Sequence, residues 1–169
     1  MAIRNIRVDD DPILRKKSRE VTEFNDRLFE LLDDMKETMY HSGGVGLAGP
    51  QVGVLKRVVV MDVSEDRNEF IELINPVITY EEGAQTGNEG CLSLPGESGV
   101  THRPATVKIK AQDRNGDWFE IEAEGILARA ICHENDHLNG ITVLDNANLF
   151  YEDMTPEQLK AIQELEDYE

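Results

Sequence analysis

The 169-residue chain reads as an α+β protein. Three observations lead there: an amphipathic helix pattern early in the chain, a strong β-hairpin signal late in it, and a second helix pattern directly after the hairpin. Helices and antiparallel pairs therefore segregate instead of alternating as βαβ units. Phe24 to His41 comes first, with Leu28, Leu31, Leu32, Met35 and Met39 at helical spacing, a stripe that reads as core. Val52 to Val63 is strand-like, most strongly over Val58 to Val63, and Phe70 to Tyr80 is the next strand candidate. Ala105 to Ala111 and Trp118 to Ala123 alternate apolar and polar residues on either side of Asp113-Arg114-Asn115-Gly116-Asp117, the composition of a hairpin turn. Gly125 to Leu138 is the second helix, and Asn139-Gly140 supplies residues that end helices in a left-handed conformation. Thr155 would N-cap a C-terminal helix with Leu159, Ile162 and Leu165 as its packing stripe.

Length and composition narrow the function. One core suffices for a chain of this size, so a single domain over 1–169 is expected. There is no internal repeat and no apolar run long enough for a membrane span. The formal charge is −17, from 34 acidic and 17 basic residues, which argues against a phosphate-neutralising surface and hence against direct nucleic-acid binding. Two cysteines, Cys91 and Cys132, without a signal peptide point to a cytoplasmic protein lacking a disulfide framework.

The residues that carry chemistry are His133-Glu134-Asn135-Asp136-His137. On a helix turning by about 100° per residue, two histidines four apart lie on one face and can bind one cation, while the glutamate beside the first reaches a water on that cation. A lone histidine on an apolar face is ordinarily a hydrogen-bonded core residue; a pair with a carboxylate between them is not. Ile126, Leu127, Ala130, Ile131, His133, Glu134, His137 and Leu138 share one broad arc of this helix, so its site should face the core, with Cys132 on the opposite, more polar side.

Two imidazoles leave the shell incomplete, since a catalytic site of this kind takes three protein ligands and water. A metzincin protease would place a third histidine where Val143 stands. A thermolysin-like enzyme would use a later glutamate, and Glu152, Glu157 and Glu164 are available without a context that singles one out. Cys91 is the better candidate. It lies in Glu89-Gly90-Cys91-Leu92-Ser93-Leu94-Pro95-Gly96, where glycine and proline break regular structure and could aim a thiolate, although a free cysteine is often only small apolar filler. Gly43-Gly44-Val45-Gly46 has too little side chain for a helix interior and lets backbone approach an extended peptide closely; Pro50 and the strand-like stretch after it exclude a dinucleotide fingerprint.

Taken together, Gly44-Val45-Gly46-Leu47-Ala48-Gly49-Pro50-Gln51, Glu89-Gly90-Cys91-Leu92-Ser93 and His133-Glu134-Asn135-Asp136-His137 resemble, in order and approximate spacing, the three signature motifs of the peptide deformylase family. Asp11-Pro12-x-Leu14-Arg15-x-x-Ser18 and Asn75-Pro76 extend the likeness over nearly the whole chain. Two positions depart from it: the family more often has alanine at Gly49 and glutamine at Cys132. The resemblance implies strands packed around a central metal-bearing helix. It implies Cys91, His133 and His137 as ligands of one divalent ion, with Fe2+ favoured in the cell and Zn2+, Ni2+ or Co2+ able to substitute. Glu134 would serve as base and then acid, and the Gln51 side-chain amide and the Leu92 backbone N–H would stabilise the oxyanion. Gly44 and Gly46 would approach the substrate backbone, Val45, Ile126 and Ala130 would line a methionine pocket, and Arg103 and Glu89 would pair beside the metal.

The implied substrates are N-formylmethionyl nascent peptides, from which formate is released. Some members of the family dock on the ribosome through a basic last helix; here the chain ends Glu164-Leu165-Glu166-Asp167-Tyr168-Glu169, which puts that mode of attachment in question. Two rival classes are a zinc endopeptidase built on the same His-Glu-x-x-His pattern, and a non-catalytic protein whose metal is closed off by four protein ligands.

Overall fold

The computed structural model describes residues 2–149, and the expected C-terminal helix from Thr155 lies outside them. Pro12–Arg15 forms a short 3-10 turn, followed by helix α1 (Asp26–His41), strand β1 (Gly46–Ala48), a second 3-10 turn (Gly49–Val52), and strands β2 (Val58–Met61) and β3 (Ile71–Glu82). Two hairpins come next, β4 (Gln85–Gly90) with β5 (Ser98–Arg103) and β6 (Thr106–Gln112) with β7 (Trp118–Glu124), and then α2 (Gly125–Leu138), α3 (Val143–Asn146) and β8 (Ala147–Leu149). The strands make a five-stranded sheet in the order β1-β2-β3-β6-β7 and a three-stranded sheet in the order β4-β5-β8, all pairs antiparallel. The architecture is α+β.

Burial on both faces of β2 explains the layering. Its four residues, Val58 to Met61, are all inaccessible to solvent. Alternate side chains point to opposite faces of a strand. Val58 and Val60 accordingly meet Leu28, Leu32, Met35 and Met39 of α1, whereas Val59 and Met61 join Ile131, Cys132 and Leu138 of α2. The larger sheet is sandwiched between the two helices, and α2 also packs on β5 of the smaller sheet. That makes α2 the central helix.

The elements follow their local chemistry. Asn25 caps α1 by accepting from Leu28 N at 3.2 Å. The β6–β7 register runs from Thr106↔Glu124 to Gln112↔Trp118 around the Asp113 to Asp117 turn, where Gly116 takes φ +87°. Gly140 closes α2 at φ +76° and donates to His137 O. In β3 the Asn75-Pro76 pair produces a register shift between Ile74 and Val77, which lets a proline sit inside a strand. The Asn75 side chain also ties the loop before α1 to the sheet: it accepts from Val21 N at 2.8 Å and donates to Val21 O at 2.9 Å and Gln112 Oε1 at 2.8 Å.

Three expectations need correction. Val52 to Val63 is not one strand: Val52 ends the 3-10 turn, Gly53 turns at φ +83°, and pairing starts only at Val58. Glu89 and Gly90 are not irregular but complete β4, so Cys91 stands immediately beyond a strand end. Cys132 is not on a polar face; α2 is covered on two sides, and this thiol is buried against the larger sheet, where burial raises its pKa to about 11 and leaves it inert.

Leu32 has no solvent exposure and packs in the α1 layer. Truncation there leaves a cavity between α1 and the sheet, so Leu32→Ala should destabilise the protein by about 2–5 kcal/mol in chemical denaturation, with little change in the denaturant slope.

Candidate metal centre

Two elements of different origin meet at the centre. α2 brings His133 and His137 on one face, with ring centroids 4.9 Å apart. The end of β4 brings Cys91, whose carbonyl accepts from Leu94 N in a tight turn. Cys91 Sγ lies 3.2 Å from His137 Nε2, which is itself 3.2 Å from His133 Nε2, and the three ligand atoms all fall within 4.8 Å of one another. Three lone-pair donors aimed at one point satisfy each other poorly. One thiolate and two imidazoles make a donor set that fits a divalent transition-metal ion. Among the described residues no fourth Cys, His, Asp or Glu joins the group, so an open position remains and the closed structural site is disfavoured.

A buried ion network holds this arrangement. Glu89 Oε1 meets His133 Nδ1 at 2.9 Å, and Arg103 donates to both Glu89 oxygens at 3.0 and 3.1 Å. Thr101 Oγ1 donates to Glu89 Oε2, and Arg103 Nη1 reaches Asp136 on α2. Burial would raise the Glu89 pKa, but hydrogen bonds from His133 and Arg103, the Arg103 charge and the Thr101 hydroxyl bring it down to about 2. The carboxylate is therefore charged and fixes His133 with Nε2 toward the centre, the usual support for a ligating imidazole. In the metal-free site burial, then the positive charge of His133 and of Arg103, pushes His137 down to about 3 and keeps it neutral.

Glu134 sits beside this centre and is only 2% exposed. Among the described residues its Oε1 has no hydrogen-bond partner, and burial, reinforced by the negative charge of Glu89, raises its pKa to about 7. Its side chain lies over Gly46, where an added Cβ would come within 2.9 Å of Oε2. Gln51, buried in the 3-10 turn, has an orientation set by its neighbours: Oε1 accepts from Ala48 N at 2.9 Å, so the NH2 group faces Ser93 Oγ at 3.1 Å and Cys91 Sγ at 3.6 Å.

A cleft of about 490 Å3 opens above the centre. Gly44, Val45, Gly46, Gln51, Cys91, Leu92, Ile126, Ala130, His133 and Glu134 all line it, whereas His137 is 1% exposed and lies behind them. Val45 and Ile126 stand at the rim, 43% and 61% exposed. Leu94 and Arg129 also line the cleft and had not been singled out; Arg129 precedes His133 by one helical turn, a spacing that could have found it. A larger open groove of about 710 Å3 beside Tyr80 and Trp118 contains none of these residues. Glu152, Glu157 and Glu164, the thermolysin-like alternatives, lie outside the described residues, and Val143 is buried.

An open three-donor centre next to a buried carboxylate is what activation of water for hydrolysis needs, and a metal-dependent hydrolase is the class that this fold and cleft define. The model of the polypeptide deformylase family matches residues 3–152. The peptide deformylase of Lachnoclostridium phytofermentans is 57% identical over 148 residues, covering 88% of this chain and 91% of that protein. The crystal structure of the Thermotoga maritima enzyme superposes with a TM-score of 0.84 at 41% identity, over 88% of this chain and all of that one. An Acinetobacter baumannii peptide deformylase with Met-Ala-Ser bound gives 0.81 at 31% identity, over 86% and 98% of the two chains. The chain belongs to the peptide deformylase family. It is a metal-dependent hydrolase that removes the N-formyl group of newly made polypeptides, and the endopeptidase alternative is not favoured.

Two outcomes follow from the geometry. Glu89→Ala should lower metal affinity by about 10–100-fold in a chelator competition titration, because His133 loses the group that orients it. In metal-free protein, Glu134 has a folded pKa of about 7 against the ordinary 4.5, so the folded state binds the extra proton between those values. The Glu134 contribution to unfolding free energy should therefore fall as pH rises from about 4.5 to about 7 and level off above it. Denaturation of metal-free Glu134→Gln across that range should lack this component.

Proposed function

We propose that Cys91, His133 and His137 hold one divalent ion and that Glu134 moves the proton in deformylation, and the observation supporting this most directly is the buried Glu134 carboxylate, whose Oε1 has no hydrogen-bond partner among the described residues, beside three converging ligand atoms. A divalent ion, when bound there, lowers the pKa of water and polarises the formyl carbonyl. Glu134 accepts the proton of the attacking water, and the hydroxyl bonds to the formyl carbon. The same carboxyl group then gives that proton to the nitrogen as the C–N bond breaks, so the products are formate and a free amino terminus.

The developing negative oxygen is met by Gln51 Nε2 and the Leu92 N–H. Because Ala48 N holds the Gln51 carbonyl, the amide presents its NH2 with little reorganisation, and a donor so placed stabilises a transition state by about 2.7–4 kcal/mol. β1 is an edge strand of the larger sheet, so an extended peptide can lie close along the side-chain-poor backbone of Gly44, Val45 and Gly46. Ile126, Ala130 and Val45 form the apolar side of the cleft and receive the methionine side chain.

The working ion in the cell is Fe2+, with Zn2+, Ni2+ or Co2+ able to replace it: a thiolate with two imidazoles accepts all four, and family resemblance favours iron. Ferrous iron on a thiolate is prone to oxidation in air, so preparation without oxygen preserves activity. The protein works in the cytoplasm as a single domain over 1–169, on formyl-methionyl nascent chains. No helix among the described residues is long and apolar enough to cross a membrane, and a charge of −17 disfavours direct nucleic-acid binding. A transient ribosome contact is compatible with this role, and the acidic segment Glu164 to Glu169 disfavours attachment through a basic helix there.

Formate release from a formyl-Met-Ala-Ser peptide, by Fe2+-loaded protein and by its Glu134→Ala form, tests this reading. The parent should turn over, and the variant should keep its metal and lose kcat by at least about 10^3-fold, the loss of both base and acid. A parent that binds metal and releases no formate would overturn the assignment.

A further inference from the structure

The wall of the cleft that faces α2 is the short segment Gly43 to Gly46, poor in side chains and therefore dependent on contacts from outside for its shape. A loop between β2 and β3 supplies them. Arg67 Nη2 donates to Gly44 O at 2.6 Å and Nη1 to Asp62 O at 3.1 Å, so one guanidinium bridges the wall to the loop. Asp62 N donates to Val45 O at 2.8 Å. The Asp62 carboxylate, 1% exposed, anchors the loop: it accepts from Tyr40 Oη at 2.6 Å, Ser64 N at 2.9 Å, the Ser64 hydroxyl and Glu69 N at 3.2 Å. The Arg67 guanidinium also lies over the Tyr40 ring, 4.9 Å from its centre. Arg67 itself takes φ +57°, a left-handed conformation that a side-chain-bearing residue keeps only where its surroundings enforce it.

These contacts bear on substrate. The Gly44 and Val45 carbonyls are both engaged from the loop side, which fixes the orientation of the two peptide groups in the wall. Gly44 is in turn pressed against Leu92, whose Cδ1 lies 2.6 Å from where a Cβ would stand, so the clamp reaches across the cleft mouth. Resting on the deformylase reading above, we propose that Arg67 is a positioning residue for the substrate peptide, holding Gly44 to Gly46 in the conformation to which an extended formyl-methionyl chain binds. The guanidinium acts on the wall and not on the reacting atoms, so its loss weakens peptide binding and leaves the proton chemistry of Glu134 in place.

The test uses the metal-loaded parent, Arg67→Lys and Arg67→Ala. It reads kcat and KM for formate release from formyl-Met-Ala-Ser, the Kd of Met-Ala-Ser by calorimetry, and both again with added methylguanidinium. Arg67→Ala should raise KM and Kd about tenfold with kcat within about twofold of the parent, and methylguanidinium should recover much of the loss. Arg67→Lys should fall between, because an ammonium keeps the charge but cannot span two carbonyls in a planar fork; it also carries the test if the alanine variant does not fold. Unchanged Kd and KM in both variants overturns the proposal. So does an equal fall in kcat and stability without rescue, which is what a merely structural residue would give. A parent that binds Met-Ala-Ser but releases no formate defeats the deformylase reading, while weaker binding by Arg67→Ala in the same experiment would still uphold the clamp.

Discussion

The Glu89 carboxylate is the point through which the two halves of the site are joined. It belongs to β4, the strand that delivers Cys91 two residues later, and it grips His133 on α2. Arg103 on β5 completes the bridge by binding Glu89 and Asp136 together. Without this network the smaller sheet would be tied to α2 by packing and by the Gln85 bond to Gly125 O at the far end of the helix, and the distance from Cys91 to the histidines would be less well fixed.

Such a network is not a cheap source of stability. Removing charges from water is costly, and buried ion pairs often contribute no more than well-packed apolar residues would. What it supplies is geometry: Glu89 makes four hydrogen bonds with three residues through its two oxygens, so neither strand nor helix can slide without leaving a buried charge unmatched. Breaking one member of such a group typically costs about 3–5 kcal/mol, which makes alternative registers inaccessible. The same burial that makes the network exacting raises Glu134 to about 7 against the opposing charge of His133, while hydrogen bonds to Glu89 bring that carboxyl down to about 2, so two neighbouring glutamates titrate far apart.

Around this fixed centre the fold distributes its tasks between layers. The α1 side of the larger sheet is mostly apolar, with the Glu72, Arg114 and Asp33 ion cluster at its margin, and carries stability. The cleft side is formed by elements that are short and poor in side chains, β1 and the Gly43 to Gly46 wall, which suits a surface meant to meet a peptide backbone. That wall has its own support in the Tyr40, Asp62 and Arg67 cluster, which lies outside the three signature motifs. The converging ligand atoms and the Gly43 to Gly46 wall are thus held by different residues.

By itself the sequence determined helices α1 and α2, the β6–β7 hairpin and the core of β2 and β3, because each has an apolar pattern matching its element and a turn or cap at its ends. It also determined the chemistry: a His-Glu-x-x-His helix and a cysteine in a glycine-containing segment limit the donor set before any coordinates exist. The β4–β5 hairpin was not legible, because its buried face carries Gln85, Gly87, Glu89, Thr101 and Arg103, and a pattern of hydrophobicity does not register buried polar residues. Tertiary structure alone decided that Cys91 meets the histidines, that Cys132 one turn of logic away is core, and that Arg67 reaches Gly44 across 23 positions of chain. Local sequence sets what a segment can become; which charges lie close enough to bind, shift a pKa or hold a wall in place depends on distances that only the packed chain defines.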